Sequence, residues 1–401
     1  MALLSVDQAL QLILDGVGAT SAETVAIEAA RGRTLAAPLA ALLTQPPFDA
    51  SAMDGYAVRA ADIARLPATL TVIGQAAAGH PFAGTVAAGQ AARIFTGAPL
   101  PAGADVVVIQ ENTSRDRDRV TVTDGTPDKG NVRTRGFDFR EGEVLLQAGR
   151  RLGPREVSLA AAMGHGAVPV RRKPRVAVLS TGDELVLPGE RPGPGQIVSS
   201  NHLGVAALAE IAGAEVELLG IARDTRESLE AHFARAESAD ILVTIGGASV
   251  GDHDLVGPVL QARGLALAFW KIAMRPGKPL MFGRLGPARV LGLPGNPVSS
   301  LVCTRVFLTP LIRALLGQPA EAERALQARA AVALEANGPR QHYMRATTAL
   351  GPDGVPAVTP VRSQDSSLLA PLAQADCLLV RPANAPAAPA GSLVPIQPLD
   401  F

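Results

Sequence analysis

Three carboxylates, Glu184, Asp224 and Asp254, each follow an apolar run closely enough to stand where a buried strand ends. The third is reached through Gly246-Gly247-Ala248-Ser249-Val250-Gly251, a stretch too rich in glycine for regular structure. Glycine allows φ > 0 and carries no Cβ, so backbone N–H groups in such a loop can close on a ligand oxygen. A strand, a glycine loop and a following helix are how α/β proteins build an anion site. The loop alone also fits a plain βα turn, since it matches neither the dinucleotide fingerprint nor the P-loop. Three further loops leave strands at the same sheet edge, Ser180-Thr181-Gly182-Asp183-Glu184, Arg223-Asp224 and Pro294-Gly295-Asn296-Pro297. Taken singly, Asp224 capping its helix, or Asp183 or Glu184 beginning one, is the plainer account. It is the convergence at one edge that argues for a site.

The charges say what kind of site. Glycine loops and helix starts suit phosphate, yet the carboxylates face the same edge. Unit charges about 5 Å apart repel by roughly 3 kcal/mol at an effective dielectric near 20, so acids around a phosphate need a cation between them. Hard oxygen donors, with no cysteine cluster and no histidine pair at ligand spacing, favour Mg²⁺. His253 reads as a solvated loop histidine. The opposite sign comes from Trp270–Pro279, where Lys271, Arg275 and Lys278 flank a Pro276-Gly277 turn. A solvated hairpin tip and an oxyanion clamp are both open readings of that stretch.

The elements that must position these residues follow from periodicity. From Arg175 the pattern alternates strand and helix: RVAVLS, a helix capped by Asn201 and ended by Gly213, VELLGIA, and a helix to about Glu237 behind an Asp224–Glu227 capping box. Next come the strand at Ile241 and a helix with Leu255, Val259 and Leu260. AFWKIAM, KPLMFG and RVLGL add strands, and Val298 to Leu316 reads as a long apolar helix. The pattern predicts a doubly wound parallel sheet. Before it, Ser5 to Val17 reads as an amphipathic helix with a Ser5–Gln8 capping box, ended by Gly18. Thr69 to Leu146 is a series of short strands, a small β domain inserted into a helical unit to which Gly149–Arg172 returns. Beyond Gln318 the chain is β-like again, from RAAVALEA to LVPIQPL.

Composition bounds the rest. The 401 residues are 47% hydrophobic and 3% aromatic, too long for one core. Lys plus Arg and Asp plus Glu balance at 37 each, so no basic field gathers nucleic acid or a membrane surface. Only Cys303 and Cys377 are present, which excludes a disulfide framework and a cysteine metal site. No secretory leader and no uninterrupted apolar run of spanning length is evident, and the reading is a cytoplasmic protein.

Several stretches resemble a known family. STGDEL (180–185), GGASVGDHD (246–254), WKIAMRPGKP (270–279) and GLPGNPVS (292–299) are similar to the molybdopterin molybdenumtransferases of the MoeA type and the related E domain of gephyrin. So are PFDASAMDGYA (47–57), RIFTGAPLPAGAD (93–105), VRTRGFDFREGE (132–143), RQHYMRA (340–346) and QDSSLLAPLAQADCLLVRP (364–382). The resemblance implies a multidomain α/β protein. Its parts are a helical dimerisation region at 1–45 with 146–173, an inserted β lid at 46–145, a MoaB/MogA-like doubly wound, mostly parallel sheet domain at 174–318, and a β-barrel at 319–401.

The implied reaction is Mg²⁺-assisted insertion of molybdate into adenylylated molybdopterin, releasing AMP and giving molybdenum cofactor. The implied catalytic set is Asp54, Thr96 and Asp138 in the lid, Glu184, Asp224, Asp254, Lys271 and Lys278 in the sheet domain, and Ser366 in the barrel. Glu184, Asp224 and Asp254 would hold the metal. Ser180, Thr181, Gly182, Gly246, Gly247, Ser249, Gly251, Arg275, Pro294, Gly295, Asn296 and Pro297 would bind substrate. The resemblance further implies a homodimer whose lids cover the partner's pocket, and a pterin nucleotide handed over by the adenylyltransferase of the pathway, with no nucleic acid or membrane partner. Two positions depart from the family pattern. Arg275 stands where lysine is usual, and Asp365-Ser366-Ser367 replaces Gly-Ser-His, which sets a carboxylate beside the expected oxyanion site unless it turns away. Alternatives are a non-catalytic binder of the gephyrin E-domain type, against which the whole acidic set argues, and a nucleotide hydrolase on the same sheet.

Overall fold

Alternation of apolar residues builds the central sheet. In the computed structural model, which describes residues 3–125, 130–247, 255–319, 326–351 and 354–399, the strands are β1 (Arg175–Thr181), β2 (Glu215–Ala222), β3 (Ile241–Ile245), β4 (Ala266–Phe269), β5 (Met281–Leu285) and β6 (Ala288–Leu293). They form one six-stranded sheet in the order β2-β1-β3-β6-β5-β4. The pairs β1–β2, β1–β3 and β3–β6 are parallel, while β5 and β4 extend the sheet antiparallel. Successive side chains point to opposite faces. Val176 and Val178 therefore pack on one side with Val205 and Ala209, and Ala177 and Leu179 on the other with Leu229 and Phe233. All five positions of β3 are buried, as expected of a strand covered on both faces.

The helices are α1 (Asn201–Ala212), α2 (Arg226–Arg235), α3 (Val256–Ala262) and α4 (Pro297–Cys303). Gly213 ends α1 at φ 107°, as its lack of a Cβ allows. Two expected caps are corrected. Asn201 is the first residue of its helix and caps nothing, its amide being used elsewhere. Thr225, not Asp224, caps α2 by accepting from the Ser228 amide at 3.2 Å. Asp183 and Glu184 start no helix either; they lie in a turn before the short strand Leu185–Val186.

Beyond α4 the helical run continues to Leu315 through a π-helical turn at Thr304–Leu308. Pro310 has no N–H to donate four residues back, which accounts for the opened turn ahead of it. By length and composition this 19-residue run would reach across a membrane, but Arg305 and Arg313 interrupt it and its most apolar window is 72% buried inside the protein, as in a core helix. The N-terminal helix is Val6–Leu14, with the Ser5–Gln8 capping box in place, and stops short of Val17 where Gly16 takes φ +60°.

The strand expected over AFWKIAM divides. Its first half is β4, whereas Met274–Arg275 pairs with Gln341–His342 in the C-terminal sheet. That sheet closes into a five-stranded ring, 341–350, 356–360, 326–330, 393–398 and 377–381, the last pairing back on the first. Of the expected RAAVALEA run, 329–336, only Arg329 and Ala330 are strand, as the end of Leu326–Ala330.

The chain divides into two compact units, Met1–Glu23 with Gly32–Ala36 and Pro169–Phe401, and Thr24–Arg31 with Ala37–Val168. The second contains a six-stranded mixed sheet in the order 106–109, 55–58, 90–94, 68–76, 119–122, 113–116. It also holds the helix Pro154–Ala162, so helical character in the return segment is confined to these residues and 167–171 is strand.

Candidate active site

Strand order reverses between β1 and β3, and in an open sheet the ligand crevice lies beyond the carboxyl ends of strands at such a point. A cavity of about 630 Å³ opens there. Its floor is Ser180 and Thr181 at the end of β1 and Gly246 and Gly247 after β3. Pro294, Gly295, Asn296 and Pro297 form one wall, and the apolar ribbon of Leu185, Ile197 and Val198 forms another. Gly246, at φ +91°, has no alternative residue: a Cβ would lie 2.7 Å from the Thr181 carbonyl oxygen. Asn201 Nδ2 donates to the Gly295 carbonyl at 2.6 Å and so ties the start of α1 to the proline loop. Pro297 is the first residue of α4, where a fixed φ costs nothing.

Glu184 lines the cavity and Asp224 stands close by. Partial desolvation, then the charges of Asp183 and Glu184, hold the Asp224 carboxyl above the usual range, against the Asp183 amide and Arg223. The Asp224 amide donates to Asp183 Oδ1 at 3.3 Å, and Arg223 Nη1 donates to the Asp183 carbonyl at 2.9 Å. Acid is thus gathered where acid repels. Asp254, Ser249 and Gly251 lie outside the described residues. Among the described residues no three carboxylate, histidine or cysteine groups come together to hold a metal, so the expected ligand set is represented by Glu184 and Asp224. Gly182, at φ +148°, sits against the Glu184 carboxylate.

The barrel supplies the loop 363–369. Asn296 Nδ2 donates to Ser366 Oγ at 2.8 Å, the Val298 amide donates to the Ser366 carbonyl at 3.1 Å, and Ser367 and Leu369 line the cavity. Asp365 is not among the residues that line the cavity; its carboxylate Oδ1 accepts from the amide and hydroxyl of Ser367 at 2.9 and 2.8 Å. These bonds hold its carboxyl below the usual range. Arg345, 1% exposed, fixes the loop by donating to the carbonyls of Leu368, Ser363 and Asp365. Lys271, Arg275 and Lys278 are exposed and do not line the cavity, although Pro279 does. Arg275 belongs to the strand paired with His342, so the hairpin-tip reading does not hold.

In the other unit, Asp54 Oδ1 accepts from both the amide and the hydroxyl of Thr96 at 2.8 Å, across the sheet rather than within its own turn. Those two bonds depress its pKa. Gly55 is obligatory beside it, because a Cβ would run into the Val108 carbonyl. Asp138 is exposed, with its amide bonded to the Gln45 carbonyl at 3.1 Å. Sequence reasoning missed Ser199, Asn201's bond to Gly295, Ser367, Leu369 and Arg345. Only the polar triplet Ser199-Ser200-Asn201 ahead of an apolar helix carried a signal, and it reads equally as a cap.

A doubly wound sheet with a polar cleft at its switch point, roofed in part by a barrel loop, defines an α/β ligand-binding protein of several domains. Family models place it further. The MoeA N-terminal region (domain I and II) matches residues 4–164, a probable molybdopterin binding domain matches 177–314, and the MoeA C-terminal region (domain IV) matches 327–399. The chain is 36% identical over 402 residues to the molybdopterin molybdenumtransferase of Haemophilus influenzae, covering 99% of each. It is 43% identical over 304 residues to that of Nostoc sp., covering 74% of this chain and 70% of that protein. The solved structure of the molybdopterin biosynthesis MoeA protein from Pyrococcus horikoshii superposes with a TM-score of 0.82 at 31% identity, over 100% of both chains. The chain belongs to the MoeA family, the molybdopterin molybdenumtransferases, enzymes of molybdenum cofactor biosynthesis.

Proposed function

We propose that this enzyme inserts molybdate into adenylylated molybdopterin with release of AMP, at the cleft beyond β1 and β3. The observation that carries the reading is the placement of Glu184 on a cavity whose floor is glycine and hydroxyl groups, with Asp224 raised in pKa beside it. Carboxylates that repel one another around a phosphate site suit a divalent cation, and the donors are hard oxygens of the kind Mg²⁺ takes. Glu184 and Asp224 would hold it, with Asp254. When bound, it would offset charge on the phosphate oxygens.

The remaining work falls to the chain's own groups. Ser180 offers a hydroxyl at the floor, and Gly246 and Gly247, without a Cβ, allow close approach; the Gly246 amide and the Thr181 hydroxyl are already bonded to the Leu293 and Ile245 carbonyls. The proline loop and the ribbon of Leu185, Ile197 and Val198 clasp the flat part of the ligand and exclude water. Lys271, Arg275 and Lys278 supply positive charge for molybdate, and Ser366 a hydroxyl held by Asn296. Asp54, Thr96 and Asp138 act from the lid of a second copy in a two-fold dimer, which produces two equivalent shared sites. The four-part division of the chain and a cytoplasmic location, with delivery of substrate by an adenylyltransferase, belong to the same reading. AMP release from adenylylated molybdopterin, measured with and without molybdate and Mg²⁺, is the test. Release that needs both supports the proposal; binding of the pterin nucleotide without turnover would instead make the protein a non-catalytic binder.

A further inference from the structure

From Ser180 on the cavity floor a buried chain of side chains runs back to Ser199 and His202, two residues that the reaction above does not use. Ser180, Ser199 and His202 are 1%, 4% and 5% exposed. Ser199 Oγ donates to Ser180 Oγ at 3.2 Å, and His202 Nδ1 lies 3.0 Å from Ser199 Oγ. A serine hydroxyl has a single proton to give. That of Ser199 goes to Ser180, so in the bond with His202 it is the ring Nδ1–H that donates. One lone pair of the Ser180 oxygen is then taken, and its own proton is the one left at the end of the chain. Ser180 and Ser199 both line the cavity, which is the direction open to that proton.

We propose that His202 is a positioning residue which, through Ser199, turns the Ser180 hydroxyl into the cavity as a donor to an oxygen of the bound pterin nucleotide. The inference rests on the substrate class proposed above. Burial holds the His202 pKa below its ordinary value, which favours the neutral ring, and an Nδ1–H donor serves the relay without a charge. Placement on α1 gives the relay a rigid base, because the residue before it, Asn201, is bonded to the Gly295 carbonyl on the opposite wall. One helix start thereby sets both a floor donor and a wall.

Substitutions separate positioning from space filling. His202→Asn keeps an N–H donor near the place of Nδ1 but loses ring volume; His202→Leu keeps bulk and loses the donor. Calorimetric titration with adenylylated molybdopterin should find His202→Leu weakened about five- to tenfold, the size of one lost hydrogen bond, and His202→Asn within about twofold of wild type. Ser199→Ala should match His202→Leu, and the double variant should be no weaker than either, since both break the same relay. A filling role predicts the reverse order, with His202→Asn the weaker binder and the less stable, and would overturn the proposal. So would wild-type affinity in His202→Leu or Ser199→Ala. Should His202→Leu fail to fold, Ser199→Ala at unchanged Tm decides the question in the same way. Absence of binding by the wild type would refute the proposed function itself, a distinct outcome.

Discussion

Asn296 and Ser366 lie 70 positions apart in the chain, yet Asn296 Nδ2 donates to Ser366 Oγ at 2.8 Å. The bond joins the proline loop of the sheet domain to a loop of the barrel, and both loops line the cavity. Both side chains reach solvent, so the bond should matter to ligand geometry more than to folding. Ser366→Ala is expected to raise KM about threefold to tenfold with Tm unchanged, the effect of about 1 kcal/mol. Asn296→Ala combined with Ser366→Ala should be less than additive in a double-mutant cycle. Full additivity would show that the two act separately.

The acidic group trades stability for function. Asp224 has a raised folded pKa, so the penalty is absent below its unfolded pKa and fully present once pH exceeds the folded value. Asp224→Asn should therefore raise Tm at pH 7, on the order of 1–2 °C, and have no such effect near pH 3. The same variant, Glu184→Gln and Asp254→Ala should each slow AMP release a hundredfold or more, about 3 kcal/mol. Retained activity in Asp224→Asn would make the cluster structural.

His342 gives the enzyme an acid-labile element. Burial, then the charges of Arg275, Arg340 and Arg345, depress its pKa from 6.5 to about 4. A depressed pKa means that the unfolded state takes up the proton first. Stability is complete above about pH 6.5 and is lost as pH falls toward 4, by about 3 kcal/mol in all. Denaturant unfolding of His342→Gln across this window should show a visibly flatter pH dependence than wild type. A parallel curve would assign the acid sensitivity to other groups.

Arg345 should be structural in a way that reaches the site. It is buried and donates to three carbonyls of the 363–368 segment. Arg345→Met leaves those acceptors unsatisfied, and a loss of about 3 kcal/mol or more is expected by thermal or denaturant unfolding. Substrate affinity should fall as well, because Ser366 and Ser367 ride on this segment. Unchanged affinity in the folded fraction would separate the loop from the cavity.

Pro297 acts through shape. As the first residue of α4 it fixes φ near −65° and restrains Asn296 before it. Pro297→Ala should weaken binding of the pterin nucleotide with little change in Tm; equal affinity in a titration removes the argument.

The lid is tested by mixing. Asp54→Ala and Glu184→Ala are each expected to be inactive. If sites are shared in a two-fold dimer, random exchange of subunits makes half the dimers mixed, each with one intact site, and about a quarter of wild-type activity returns. A mixture that stays inactive despite demonstrated exchange places each site within one chain.

Composition and periodicity determined the sheet. The runs at Arg175, Ile241 and Ala288 are buried along almost their whole length, and only a sheet covered on both sides buries such runs; the run at Glu215 is the half-exposed edge strand. The glycines and prolines at their ends, Gly246, Gly247 and 294–297, were legible because those residue types mark where a strand must break into a loop. Long-range partners decided what the sequence left open. Asp224 looked like a helix cap until Thr225 took that bond, and AFWKIAM looked like one strand until Met274 and Arg275 paired with the barrel. Asp365 looked hostile to an oxyanion until the fold bonded its carboxylate to the amide and hydroxyl of Ser367. Hydrogen bonds between residues far apart in the chain, such as Asn201 to Gly295, Asn296 to Ser366 and Arg345 to the 363–368 segment, are set by packing of whole elements. No local pattern encodes them, which is why the cleft's residue types could be read from the sequence and its geometry only from the fold.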